Sequence, residues 1–135
     1  MRYWLLKSEP DVYPLSRLET EGQTFWDGVR NFQARNNLKE MKEGDLCLFY
    51  HSNEGREIAG LARVVREWYP DPTHSDDTWV AVDVGYEETF PRPLGLAEIK
   101  SHPVLKNMVL AKNSRLSVLP VKPEEFDLII RLTHP

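Results

Sequence analysis

Cysteine is almost missing from this chain. Cys47 is the only one in 135 residues, so neither an internal disulfide nor an all-cysteine zinc site can form. A disulfide-free chain suits a reducing compartment, and the expected location is the cytosol, or the nucleus if the source is eukaryotic. Long hydrophobic runs are missing too. No stretch approaches the ~18 apolar residues of a membrane span, so no membrane partner is expected. The opening Met1-Arg2-Tyr3-Trp4-Leu5-Leu6-Lys7 breaks its apolar run at Lys7, unlike a signal peptide. There is no internal repeat, low-complexity tract or Gly/Ser linker, hence no domain boundary, and residues 1–135 are expected to form a single domain. A hydrophobic content of 41% with 28% charged residues is ordinary for a globular chain and excludes collagen-like, coiled-coil and wholly disordered classes.

Positive charge is also short. Lys and Arg number 17 against 21 Asp and Glu, a net of −4, whereas proteins that hold nucleic acid mainly by phosphate attraction are usually basic. The imbalance is local. Residues 66–98 carry two basic and eight acidic side chains, and residues 99–135 carry six basic and three acidic. One end of the fold can therefore be positive while the whole is negative.

Catalytic signatures are absent. The chain has no Gly-x-Ser-x-Gly elbow, no P-loop and no His-Glu-x-x-His helix, and His51, His74, His102 and His134 lack ligand spacing. No catalytic residue, metal or cofactor is expected. Cys47, inside an expected strand, reads as a small buried hydrophobe.

The pattern that is present alternates short strands with peripheral helices. Strands are expected at residues 3–7, 24–26, 46–51, 57–68, 78–90 and 116–121. Gly60 marks a bulge or close approach, and Pro91 with Pro93 is expected to break the fifth strand. Helices are expected from Pro14 to Glu21, with Ser16 and Glu19 at capping-box spacing, over 31–43, over 95–101 and from Pro123 to Leu132. In the second helix Ala34, Leu38 and Met41 form an apolar stripe, with Arg35, Lys39 and Lys42 beside it. This argues for an α+β fold with a mixed or antiparallel sheet curled into a small barrel, and against a doubly wound fold.

Polar and aromatic residues collect at element ends. Lys7-Ser8 closes the first strand, and Trp26 precedes a glycine turn followed by Val29-Arg30-Asn31. Tyr50-His51-Ser52 closes another strand, Trp79 opens the next, and Ser114-Arg115 precedes the last. Aromatic walls with a few hydrogen-bonding groups are what a ligand pocket needs, and a flipped nucleobase fits that chemistry. Each residue has a structural alternative. Trp26 and Trp79 can be core, and Trp4 and Trp68 read as packing. Asn31 can be a helix cap, Lys7 a solvated strand end, and Arg115 the partner of a carboxylate. Arg35, Lys39 and Lys42 can be a solvated helix edge, and His51 a structural hydrogen-bonding group.

Several longer segments resemble one family. Tyr3-Trp4-Leu5-Leu6-Lys7-Ser8-Glu9-Pro10, Trp26-Asp27-Gly28-Val29-Arg30-Asn31 and Ala34-Arg35-Asn36-Asn37-Leu38 are similar to the EVE domain. So, in the same order, are Gly44-Asp45, Tyr50-His51-Ser52-Asn53, Gly60-Leu61-Ala62 and Arg115-Leu116-Ser117-Val118. The resemblance implies a PUA-like barrel with flanking helices, related to the YTH domains that hold a methylated adenine of RNA in an aromatic cage. It implies a non-enzymatic reader of a modified base, first of all a modified cytosine in DNA, acting as a monomer. The base pocket would comprise Ser8, Trp26, Asn31, Tyr50, His51, Ser52 and Trp79. Lys7, Arg30, Arg35, Lys39, Ser114 and Arg115 would meet the phosphate backbone. The segment from Tyr69 to Trp79 is shorter than the resemblance leads one to expect. Three other readings stay open: an RNA-binding module, a small nucleotide enzyme using His51 with Glu9 or Asp27, and a scaffold that binds a peptide.

Overall fold

The computed structural model describes residues 1–112 and 115–135. Six strands make one mixed sheet: β1 (Tyr3–Ser8), β2 (Gln23–Trp26), β3 (Leu46–His51), β4 (Glu57–Pro70), β5 (Val80–Gly95) and β6 (Val118–Val121), in the order β2-β5-β4-β3-β1-β6. β1 runs parallel to β3, and the other neighbours are antiparallel. Around the sheet lie α1 (Leu15–Glu21), α2 (Phe32–Glu40), α3 (Leu96–Ser101), α4 (Val109–Lys112) and α5 (Pro123–Thr133), with a 3-10 turn at Leu105–Asn107. The α+β expectation holds. The 3-10 turn and α4 had no signal strong enough to be foreseen.

Helix α2 shows how the sheet curls. It packs against both β5, second from one end of the strand order, and β6, at the other end. Arg35 donates to the Thr78 carbonyl just before β5 (3.2 Å), and Asn37 Nδ2 donates to the Val118 carbonyl of β6 (2.8 Å). A flat sheet cannot present both ends to one short helix. The bend comes from register shifts along β4 and β5, where extra residues kink and twist the strands. Gly60 sits at one of them. A Cβ there would run into the Glu88 carbonyl oxygen and the Leu15 side chain, so only glycine allows that approach.

The core follows from the apolar runs of β1 and β3. Trp4, Leu5, Leu6, Cys47, Leu48 and Phe49 are fully buried, as strands covered on both faces should be. The Trp4 indole N–H donates to Asp45 Oδ2 (3.0 Å), and the same carboxylate takes the backbone N–H groups of Arg2 (3.1 Å) and Lys42 (3.0 Å). Burial pushes the Asp45 pKa up, but these bonds outweigh it and hold the carboxyl below its usual value. Among the described residues no buried side-chain polar atom lacks a partner. No described helix is long and apolar enough to cross a membrane.

Several local expectations need correction. β5 runs through Pro91 and Pro93 to Gly95. β2 pairs only with Val82–Gly85, and the β4 register skips from Thr89 to Leu94, so neither proline removes a ladder donor. Helix α2 stops at Glu40, with Met41 already extended, which takes Lys42 out of the cationic row. Ser16 does not open a capping box. Pro14 is the N-cap of α1, without a side-chain cap bond. Trp68 is not packing either, since it is 45% exposed.

Candidate functional site

A wide concavity lies between the end of β1, helix α1 and the strand-and-loop segment from Gln23 to Arg30. Its volume is about 740 Å³, within the range of small-molecule pockets. β1 and the residue that follows it supply Lys7, Ser8 and Glu9. Helix α1 and the turn before it supply Val12, Tyr13, Arg17 and Glu21. β2 and its loop supply Phe25, Trp26, Asp27 and Arg30. Ser117 closes one side, where its carbonyl accepts the Lys7 backbone N–H (3.0 Å).

Trp26 is half-buried and borders the open space. Its ring meets Tyr13 edge-on (6.2 Å, 86°) and Phe49 edge-on (5.6 Å, 82°). Two perpendicular neighbours fix the indole without filling the groove. Tyr13 is fixed in turn, since its hydroxyl donates to Glu21 Oε1 (2.6 Å) and the Arg17 guanidinium lies 5.2 Å over its ring. Burial and the Glu21 bond push the Tyr13 pKa up. Burial lowers the Lys7 pKa, which marks an ammonium partly withdrawn from water.

The loop after β2 is tied down by one buried carboxylate. Asp71 Oδ2 accepts from the Gly28 N–H (2.9 Å) and Arg30 Nη1 (3.0 Å). Its Oδ1 accepts from the Thr73 N–H (2.7 Å) and hydroxyl (2.6 Å). Gly28 has φ of 76°, a conformation that favours glycine. Burial alone would raise the Asp71 pKa, but these four donors hold it far below the usual carboxylate range. Arg30 therefore borders the groove with one nitrogen committed to Asp71.

Of the residues expected to bind a base, Ser8 and Trp26 line the groove and five do not. The Ser8 hydroxyl donates to the Tyr13 carbonyl (2.6 Å), which leaves it able only to accept from a ligand. Asn31 is the N-cap of α2, its Oδ1 accepting the Ala34 N–H (2.9 Å). Tyr50 is buried in β3. His51 Nε2 accepts the Leu15 N–H (3.1 Å) and so caps α1. Burial lowers the His51 pKa, opposed in part by Glu57. Ser52 gives its backbone N–H to the Ser8 carbonyl (2.9 Å). Trp79 stacks on Phe32 (5.0 Å, 28°), outside the groove. Of the expected phosphate ligands, Lys7 and Arg30 border the groove, while Arg35 and Lys39 lie along α2. Arg115 is exposed ahead of β6 and does not line the groove. Ser114 falls outside the described residues.

For the pairing of His51 with Glu9 or Asp27, Glu9 and Asp27 line the groove, whereas His51 lies outside it with its Nε2 engaged by the Leu15 N–H. Among the described residues no three His, Cys, Asp or Glu gather to hold a metal. Tyr13, Arg17 and Glu21 were overlooked in the sequence, although their four-residue spacing is a helical-face signal. Asp71 was overlooked too, although Asp71-Pro72-Thr73 carries the mark of an Asx turn.

The EVE domain model matches residues 2–132. This chain belongs to the EVE domain family. The EVE domain described here is 39% identical to human thymocyte nuclear protein 1, over 96% of this chain and 73% of that protein. Among solved structures, a protein of Rhodopseudomonas palustris superposes with a TM-score of 0.94 at 42% identity, covering 98% of this chain and 93% of the other. The human THYN1 protein, solved in complex with 5-methylcytosine-containing DNA, superposes with a TM-score of 0.92 at 38% identity, covering 100% of this chain and 99% of the other. A YTH domain from Zygosaccharomyces rouxii shares the fold at a TM-score of 0.63 and 16% identity, covering 99% of this chain and 87% of the other.

Proposed function

We propose that this EVE domain is a non-catalytic reader that binds DNA and takes a modified cytosine, 5-methylcytosine first, into the groove beside Trp26. The observation that carries the reading is the open groove of about 740 Å³ walled by the half-buried Trp26 ring. The human relative, similar over the whole chain, was solved with 5-methylcytosine-containing DNA. Trp26 supplies a stacking surface, worth about 1–3 kcal/mol per base. Asp27 and Glu9 place carboxylates in the groove, and a carboxylate accepts from the exocyclic amine of cytosine. Val12 and Phe25 offer apolar surface to a methyl group. Lys7, Arg17 and Arg30 are the cations that border the groove, where phosphate would lie.

The groove's cations are matched by Glu9, Glu21 and Asp27, and the chain carries a net −4. Affinity for unmodified DNA is therefore weak. The test is a titration of methylated and unmethylated DNA strands, and of RNA of the same sequence, against wild type and Trp26→Ala. Preference for the methylated DNA, lost in Trp26→Ala, supports the reading. Equal affinities throughout refute it, and tighter binding to RNA moves the target to RNA.

A further inference from the structure

Beside the outer face of α2, large rings from α2, β4 and the loop before β5 come together, two of them exposed. Phe32 is 59% exposed and lies stacked on Trp79 (5.0 Å, 28°). The Arg35 guanidinium sits 5.0 Å over the Phe32 ring, and that of Arg30 sits 5.7 Å over Trp79. One turn further on, the Lys39 ammonium lies 4.8 Å over Trp68, itself 45% exposed. Each ring of this face is thus paired with a cation, and Arg30 belongs both to this face and to the rim of the groove.

We propose that this face is a second nucleic-acid contact, a stacking track for the unpaired strand that flanks the base held in the groove. The inference rests on the groove reading and adds a site to it. Cations that follow a backbone, interleaved with aromatic faces, are how proteins hold single strands without regard to sequence. A duplex hides its base faces in the stack and cannot use exposed rings, so the occupant is an unpaired strand. Charge is the smaller contribution. Asp76, on the neighbouring loop, accepts the Thr78 N–H (2.8 Å) and lies within electrostatic reach of Arg30. From Phe32 to Lys39 the helix rises by roughly 10 Å, room for two or three nucleotides.

The experiment compares three single-stranded DNAs: a long one with 5-methylcytosine at its centre, its unmodified counterpart, and one trimmed to the immediate neighbours of the modified base. Phe32→Ala weakens binding of both long strands by about 5- to 100-fold, by the same factor with and without the methyl group. It leaves the trimmed strand unaffected, and Phe32→Trp restores the long-strand affinity. Lys39→Gln lowers the slope of log affinity against log salt by about 0.7. Phe32 is exposed, so an unchanged melting temperature shows that the variant is folded. The inference is overturned if Phe32→Ala leaves long-strand affinity unchanged, or weakens the trimmed strand equally. Trp26→Ala in parallel separates the two claims. If it abolishes methyl preference while Phe32→Ala is silent, the track falls and the groove stands. If it keeps the preference, the groove reading falls whatever Phe32 does.

Discussion

Replacing Asp71 by asparagine should loosen the groove from behind. The carboxylate side chain is fully buried and accepts four hydrogen bonds, one of them from the Arg30 guanidinium. An asparagine keeps one acceptor oxygen and turns an NH₂ group toward donors. It also leaves the guanidinium without its counter-charge. Breaking a buried charged pair on one side costs about 3–5 kcal/mol, and Arg30, with its side chain 36% exposed, moves the expectation to the lower end of that range. With an unfolding entropy of about 0.28 kcal/mol/K for a chain of this length, a loss of about 3–4 kcal/mol lowers Tm by roughly 10–15 °C. Thermal unfolding followed by circular dichroism at pH 7 measures it. The pH dependence follows from the depressed Asp71 pKa. Its contribution is complete above the unfolded value near 3.9 and is lost as pH falls toward the folded value, so Asp71→Asn flattens the acid limb of the stability curve. A Tm within about 2 °C of wild type would show that the carboxylate does not hold the loop, and the reasoning about the groove's rim would fail with it.

Three further outcomes follow. Gly60→Ala should cost about 1–3 kcal/mol or more, read as a lower urea midpoint, because the obstructing atom is a backbone carbonyl that cannot swing away. His51 has a lowered pKa in the fold, so its share of stability is complete above pH ~6.5 and declines as pH falls. His134, raised by Glu88, contributes in the opposite sense, so the comparison must be wild type against His51→Gln, which keeps an acceptor for the Leu15 N–H and removes that pH dependence. Cys47 is fully buried with its thiol pKa pushed up, so it should stay unreactive to a thiol reagent until the protein unfolds.

Much of the fold was legible because it rests on local signals. The apolar runs of β1 and β3, the stripe of Ala34, Leu38 and Met41, and the stop at Gly22 each announce an element within a few residues. The prolines at 91 and 93 misled because their tolerance depends on which strand lies alongside, and the sequence does not show that. Of the residues singled out at element ends, Trp26, Ser8, Lys7 and Arg30 border one groove. At Asn31 and His51 the fold shows the structural alternative, since they cap α2 and α1. A capping side chain and a base-reading one have the same residue type and the same position at an element's end, and only the partner distinguishes them. The neighbour of Trp79 was not legible for a related reason. Its partner Phe32 comes from a helix 47 residues earlier in the chain. The Thr73 half of the Asp71 network has a local signal, whereas its Gly28 and Arg30 donors come from a loop that the chain brings alongside only when folded.

The most direct measurement is a nitrogen-15 NMR titration of the four tryptophan indole N–H signals with methylated and unmethylated DNA strands. The Trp26 signal should move, and move further for the methylated strand. The Trp4 signal, buried and bonded to Asp45, should stay still as an internal reference. A Trp26 resonance that does not respond while the DNA is bound would contradict the account.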